Sequence, residues 1–173
     1  MCTSGAYYVA CASDFIITSP AALVGNIGAR FTILFNIKEL LKHWNIHSHV
    51  IASGKHKAST TMFTDLTPEQ EAVLQKVADD TYIQFATDVA RIRKLSFQKR
   101  SEWADGKLFT GKQALALGLI DETGSYSQAV SKIKELAPIE GSVEWIDAQG
   151  TQSFFDFFPR TLAWHNLNRM VCN

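Results

Sequence analysis

A serine with two small neighbours and an apolar run behind it opens the chain: Ser4-Gly5-Ala6, then Tyr7 to Ala12. Small neighbours leave a hydroxyl open to a substrate. A helix starting here would also present its N-terminus to negative charge developing on an attacked carbonyl. The plain alternative for such a serine is a helix N-cap with no chemistry. The second feature is Ser53-Gly54-Lys55-His56-Lys57, which follows the β-prone run His49-Val50-Ile51-Ala52. Loops after strands in α/β proteins often carry sites. A lysine in such a loop is either a solvated cation or, if burial or nearby positive charge lowers its pKa, a general base. Taken singly, each feature leaves both roles open.

Other chemistries find less support. His43, His47, His49, His56 and His165 stand in no triad motif, and no Gly-x-Ser-x-Gly elbow occurs. His47 and His49 have no accompanying carboxylate or cysteine pattern for a metal, and no phosphate-binding loop is present. Cys2, Cys11 and Cys172 form neither a disulfide framework nor a zinc pattern. Cys11 lies in an apolar run and reads as a small buried hydrophobe. No cofactor or metal is expected. The 17 basic and 17 acidic residues cancel, which leaves no electrostatic footprint for nucleic acid. No run approaches the ~20 apolar residues of a membrane-spanning helix, and no leader pattern is visible.

These residues need a scaffold. Residues 4–12 read as a buried helix, Phe15–Thr18 and Ala22–Val24 as short strands, and Gly25-Asn26-Ile27-Gly28 as a turn. Apolar spacing predicts a helix over 33–44, then a strand at His49–Ala52. Thr67-Pro68-Glu69-Gln70 is a helix start with a capping box, and the helix should reach about Lys94 with Val73, Leu74, Val77, Tyr82, Phe85 and Val89 on its apolar face. A short helix follows Ser96, Leu108-Phe109 is extended, and a helix over 111–117 ends at Gly118. A helix over 125–136 and a strand at Val143–Ile146 complete the pattern. This is an α/β domain, placed at residues 1–150, with an apolar helical tail at 151–173 whose Phe154, Phe155, Phe157 and Phe158 either close the core or face a partner or membrane surface. Ser4 comes too soon after Met1 for any strand to precede it, so the chain is expected to be a fragment or to start late.

Taken jointly, the motifs resemble one family. Ser4-Gly5-Ala6-Tyr7-Tyr8-Val9-Ala10-Cys11-Ala12-Ser13-Asp14 is similar to the S-G-G-Y-Y-x-A-x-A-A-D segment of signal peptide peptidase A, the S49 peptidases. Ser19-Pro20 and Gly25-Asn26-Ile27-Gly28 resemble its N-P and G-S-I-G stretches, Ser53 to Lys57 its S-G-x-x-K, and Thr67-Pro68-Glu69 its T-x-E-E. Asp105 to Asp121 resembles A-D-G-R-V-F-T-G-x-x-A-x-x-x-G-L-V-D. The blocks keep the family's order over about residues 3–135.

The resemblance implies a ClpP/crotonase-like α/β spiral of short strands and helices, N-terminally incomplete, and a serine endopeptidase with a Ser–Lys dyad. Ser4 matches the nucleophile and Lys57 the general base. Gly5 supplies an oxyanion N–H. Asn26 replaces a family serine that holds the lysine amine, a role its carbonyl oxygen can take. Lys55 is expected to repel a charge on Lys57. The family's upstream glycine-rich turn, a further oxyanion donor, has no counterpart here. The resemblance also implies apolar peptide substrates such as cleaved signal peptides, a homo-oligomer in which the dyad can be completed across subunits, and a membrane-associated parent protein at the bacterial inner membrane. Two alternatives stand beside it: a weak or inactive member serving as an oligomeric peptide-binding scaffold, and a crotonase-like acyl-CoA enzyme.

Overall fold

Ser4 occupies the joint between a strand and a helix. In the computed structural model, which describes residues 1–31, 35–137, 139–141 and 143, β1 (Cys2–Thr3) leads straight into α1 (Gly5–Ala10). A strand therefore does precede Ser4, against expectation. Two residues suffice because β1 borrows its ladder from β3 (Leu23–Gly25), in parallel, with Cys2 opposite Val24 and Thr3 opposite Gly25. On its other side β3 pairs antiparallel with β4 (Leu108–Thr110), Val24 facing Phe109. A second, separate pair joins β2 (Ile17–Thr18) in parallel to β5 (Glu122–Thr123). The architecture is the expected α/β mixture of short strands and helices.

The helices begin and end where local chemistry directs. In α3 (Pro68–Arg93) the Thr67 side chain accepts from the Gln70 N–H and the Gln70 side chain accepts from the Thr67 N–H, with Pro68 at the first helical position. Lys94, left-handed at φ 55°, ends it. Thr110 and Gln113 repeat the capping box at the start of α5 (Gly111–Ala116). That start lies so close to the Ser19 carbonyl that a Cβ on Gly111 would stand 2.3 Å from its oxygen. A short turn at Phe97–Lys99 leads into α4 (Arg100–Trp103), and α6 spans Tyr126–Leu136.

Two expectations fail between residues 35 and 66. The helix there is only α2 (Lys38–His43), with residues 32–34 outside those described. His49–Ala52 forms no strand: all four residues are exposed. Val50 and Ile51 have the right propensity, but a strand exists through its neighbour's ladder, and none of the described strands runs beside them. The strand expected at Val143–Ile146, apart from Val143, and the tail at 151–173 lie outside the described residues, as does the boundary placed at residue 150.

Residues Met1–Ala129 form one compact unit, and the chain from Val130 a second. In the first, the core gathers Tyr7 of α1, Cys11 just after it, Val24, Ile27, Trp103, Phe109, Leu119 and Ile120. From α3 it takes only Phe85, Ala86, Val89 and Ala90. The N-terminal half of α3, with Val73 and Val77, stays exposed although its apolar spacing predicts burial. Cys11 is fully buried, as its setting implied.

Candidate active site

The backbone at Ser4 is unusual. Its φ of 54° and ψ of −127° lie where residues other than glycine rarely go. Such a conformation costs roughly 1–3 kcal/mol and persists only where its surroundings over-determine it. Here they do. The Ser4 N–H donates to the Gly25 carbonyl at 2.8 Å, and the Ser4 carbonyl accepts from the Tyr8 N–H at 3.0 Å. One turn along, Tyr7 is fully buried and its hydroxyl donates to the Leu119 carbonyl at 2.6 Å. Burial, more than any neighbour, pushes the Tyr7 phenol far above its ordinary pKa, so it stays a neutral donor. Ser4 holds the N-cap position of α1 but makes no side-chain cap bond. The capping role is therefore not what its hydroxyl does. The strand–serine–helix order and the unusual backbone resemble nucleophile elbows on other folds.

Ser4 opens into a cleft of about 650 Å³, and Gly5 and Asn26 line it too. Above Gly5 the space is open: a Cβ there would meet nothing within 4 Å. Asn26 follows Gly25 (φ 95°) and is itself left-handed at φ 53°. Its N–H donates to the Lys107 carbonyl at 2.7 Å. Asparagine enters this region more readily than most residues, so the turn's backbone gives a physical reason for Asn at this position. Gly28 and Gly106 also line the cleft, and a Cβ on Gly28 would make only an ordinary contact, 3.6 Å from the Gly106 Cα. The wall is aromatic: Tyr8 stacks on Phe85 of α3 with ring centroids 4.4 Å apart. The Tyr8 hydroxyl donates to the Asp88 carboxylate, which also accepts from Arg91 at 3.0 Å. The Tyr8 bond first, then Arg91, holds Asp88 below the usual carboxylate range.

Lys57 is not in this cleft. It lies exposed in the turn after Gly54, whose carbonyl accepts its N–H at 3.1 Å. Lys55 is 2.6 Å from Glu69 of α3, an ion pair that commits its charge away from Lys57. Ser4, Gly5 and Asn26 line one cleft, and Lys57 is not among the residues that line it. Sequence reasoning missed Tyr8, Thr81, Phe85 and Arg30 as cleft residues. Tyr8 was open to discovery, four residues after Ser4 on one helix face. Arg30 carried no local signal.

The scaffold behind the cleft is fastened by one ion pair. Arg93 donates two bonds to Asp121, at 2.8 and 3.0 Å, and a third from Nε to the Gly118 carbonyl at 3.1 Å. Asp121 also accepts from the Ile16 N–H at 2.7 Å. Burial alone would raise the Asp121 carboxyl, but these bonds and the Arg93 charge outweigh it and hold it below the usual range.

The sequence model of peptidase family S49 matches residues 1–140. The chain belongs to this family. Among similar proteins, a candidate protease of Methanocaldococcus jannaschii is 35% identical over 136 residues, covering 79% of this chain and 43% of its own length. Protease 4 of Salmonella typhi is 31% identical over 81% of this chain and 22% of its own. The chloroplastic serine protease SPPA of Arabidopsis thaliana is 32% identical over 79% of this chain and 20% of its own. This S49 chain therefore spans less than half the length of these relatives. Among its described residues no helix is long and apolar enough to cross a membrane, and no cluster of three or more His, Cys, Asp or Glu side chains is placed to hold a metal ion.

Proposed function

We propose that the chain is the catalytic part of a serine endopeptidase, with Ser4 as nucleophile and Lys57 of a second copy as general base. The observation that carries this reading is the Ser4 elbow: a serine with a strained backbone and no side-chain cap bond, lining a peptide-sized cleft. The neutral Lys57 amine takes the Ser4 proton as Oγ attacks a peptide carbonyl. The Gly5 N–H donates to the oxyanion, and Asn26 steadies the amine. The resulting ammonium protonates the leaving amine. The amine then deprotonates a water, which hydrolyses the acyl-enzyme and frees Ser4.

Delivery of Lys57 from a neighbouring copy is supported by what surrounds it. Between residues 35 and 66, Phe35, Leu40, Trp44, Ile51 and Met62 are exposed, as are Val73 and Val77 of α3. A surface of this kind calls for a partner. Packing there would also dehydrate Lys57, and burial favours the neutral amine. The aromatic wall of Tyr8 and Phe85 suits apolar peptides, of which cleaved signal peptides are one source, presented by a membrane-associated parent protein.

A fluorophosphonate probe tests the reading. The assembled protein is expected to label at Ser4, with labelling lost in both Ser4→Ala and Lys57→Ala. Absence of labelling in every assembled form would instead identify a peptide-binding scaffold.

A further inference from the structure

Arg30 is the charged residue among those lining the Ser4 cleft. Its companions there are small, amide, hydroxyl or aromatic side chains. Most other charged groups around the core are committed: Arg93 to Asp121, Asp88 to Tyr8 and Arg91, and Lys107 to Asp105. Arg30 makes no hydrogen bond or ion pair with any described residue, and it is exposed. An uncommitted guanidinium beside a nucleophile presents five donors in a planar fork that matches a carboxylate.

Its place on the chain sets what it can reach. The loop leaves Ser4 at the Gly25 carbonyl, is pinned by the Asn26 and Gly106 N–H bonds to Lys107 and Ile27 at 2.7 and 3.0 Å, and buries Ile27 completely. Arg30 is then four residues beyond Asn26. At ~3.4 Å per residue that is at most about 14 Å of chain, the span of roughly four residues of an extended peptide.

We propose that Arg30 forms a carboxylate subsite in this cleft, so that the chain selects peptides carrying a negative charge within about four residues of the scissile bond. The inference rests on the peptidase reading and narrows it: an apolar segment next to a carboxylate, not an apolar segment alone. The carboxylate has two sources, a Glu or Asp side chain or the free C-terminus of a short peptide, and both present the same two oxygens to the guanidinium.

Binding tests the inference separately from catalysis. Fluorescent apolar peptides, each with a single Glu or Gln at successive positions and with either a free or an amidated C-terminus, are titrated into the full chain carrying Ser4→Ala. The expected result is roughly fivefold tighter binding of the matched Glu or free-acid peptide at low salt. The preference should shrink as ionic strength rises, collapse in the Ser4→Ala, Arg30→Gln double variant, and survive in part with Arg30→Lys. Preference for Glu in amidated peptides assigns the side chain, and preference for the free acid without Glu assigns the C-terminus. Equal binding of charged and neutral peptides at every position, or a preference unchanged by Arg30→Gln, overturns the subsite. Cleavage of the same peptides by the Ser4 protein reports on the peptidase reading. Charge-selective binding without cleavage would sink that reading and keep the subsite, and cleavage without charge selectivity would do the reverse.

Discussion

The two halves of α3 are one helix in two environments. From Phe85 onward it is built into the core: Phe85, Ala86, Val89 and Ala90 are buried, Phe85 stacks on Tyr8, and Arg93 clasps Asp121. Before Tyr82, which is half-buried against the core, none of its residues is buried. Val73 and Val77 are exposed there, as is most of the 35–66 segment that carries Lys57. Ser4 thus stands on the packed region and Lys57 on the open one. The packed region can hold a strained serine because its N–H and carbonyl are both bonded and Tyr7 beside it is fully buried. The open region exposes large apolar side chains such as Phe35, Trp44 and Ile51. If Ser4 and Lys57 act as proposed, the contrast asks the packed region to hold the nucleophile and the open region to deliver the base.

The largest effect should separate the two halves directly. Phe85→Ala is expected to cost about 3–5 kcal/mol in denaturant unfolding. Val77→Ala, at 49% exposure, should cost a separated chain less than about 0.5 kcal/mol. The same Val77 variant should weaken self-association in sedimentation. Equal losses of stability at the two positions would erase the comparison.

A smaller effect lies in the Arg93–Asp121 clasp. Asp121→Asn should cost about 2 kcal/mol, since it weakens the bonds of a nearly buried guanidinium. The pH dependence has a definite sign. The Asp121 carboxyl is held below its ordinary value of 3.8, so its contribution is full above that value and is lost as pH falls through the lower folded one. Acid unfolding of Asp121→Asn should therefore begin from a lower plateau and fall less steeply below about pH 4. A curve parallel to that of the natural chain would contradict this account of the clasp.

The smallest effect is at Ser4. Glycine adopts φ 54°, ψ −127° without a Cβ penalty, so Ser4→Gly should be about 1 kcal/mol more stable than Ser4→Ala. Equal stability of the two would mean that no strain is stored there.

What the sequence disclosed divides along the same line. The helix of 26 residues was readable from Thr67, Pro68 and Gln70, because capping is local chemistry. So was α5, from Thr110 and Gly118, whereas Gly25, expected in a turn, ends β3 and residues 26–28 are irregular. The two-residue β1 was not, because it exists only through β3, more than 20 residues away. Val50 and Ile51 misled because propensity says nothing about whether a ladder partner is within reach. Val73 and Val77 misled in the same way, as periodicity reports that a face is apolar but not what covers it. Within the site, Ser4, Gly5 and Asn26 were legible from motif spacing. Arg30 was not, since an arginine at the end of a turn has no signature until the cleft beside it is seen.

The measurement that tests the central claim most directly is mixing. Ser4→Ala and Lys57→Ala chains, each inactive alone, are unfolded together, refolded and assayed on an apolar peptide ester. If one copy provides the serine and the next the lysine, the mixture regains about a quarter of the natural rate, the share of head-to-tail interfaces that unite both intact side chains. If the mixture stays as inactive as its parts while natural chains refolded the same way are active, Lys57 does not serve the serine of another copy.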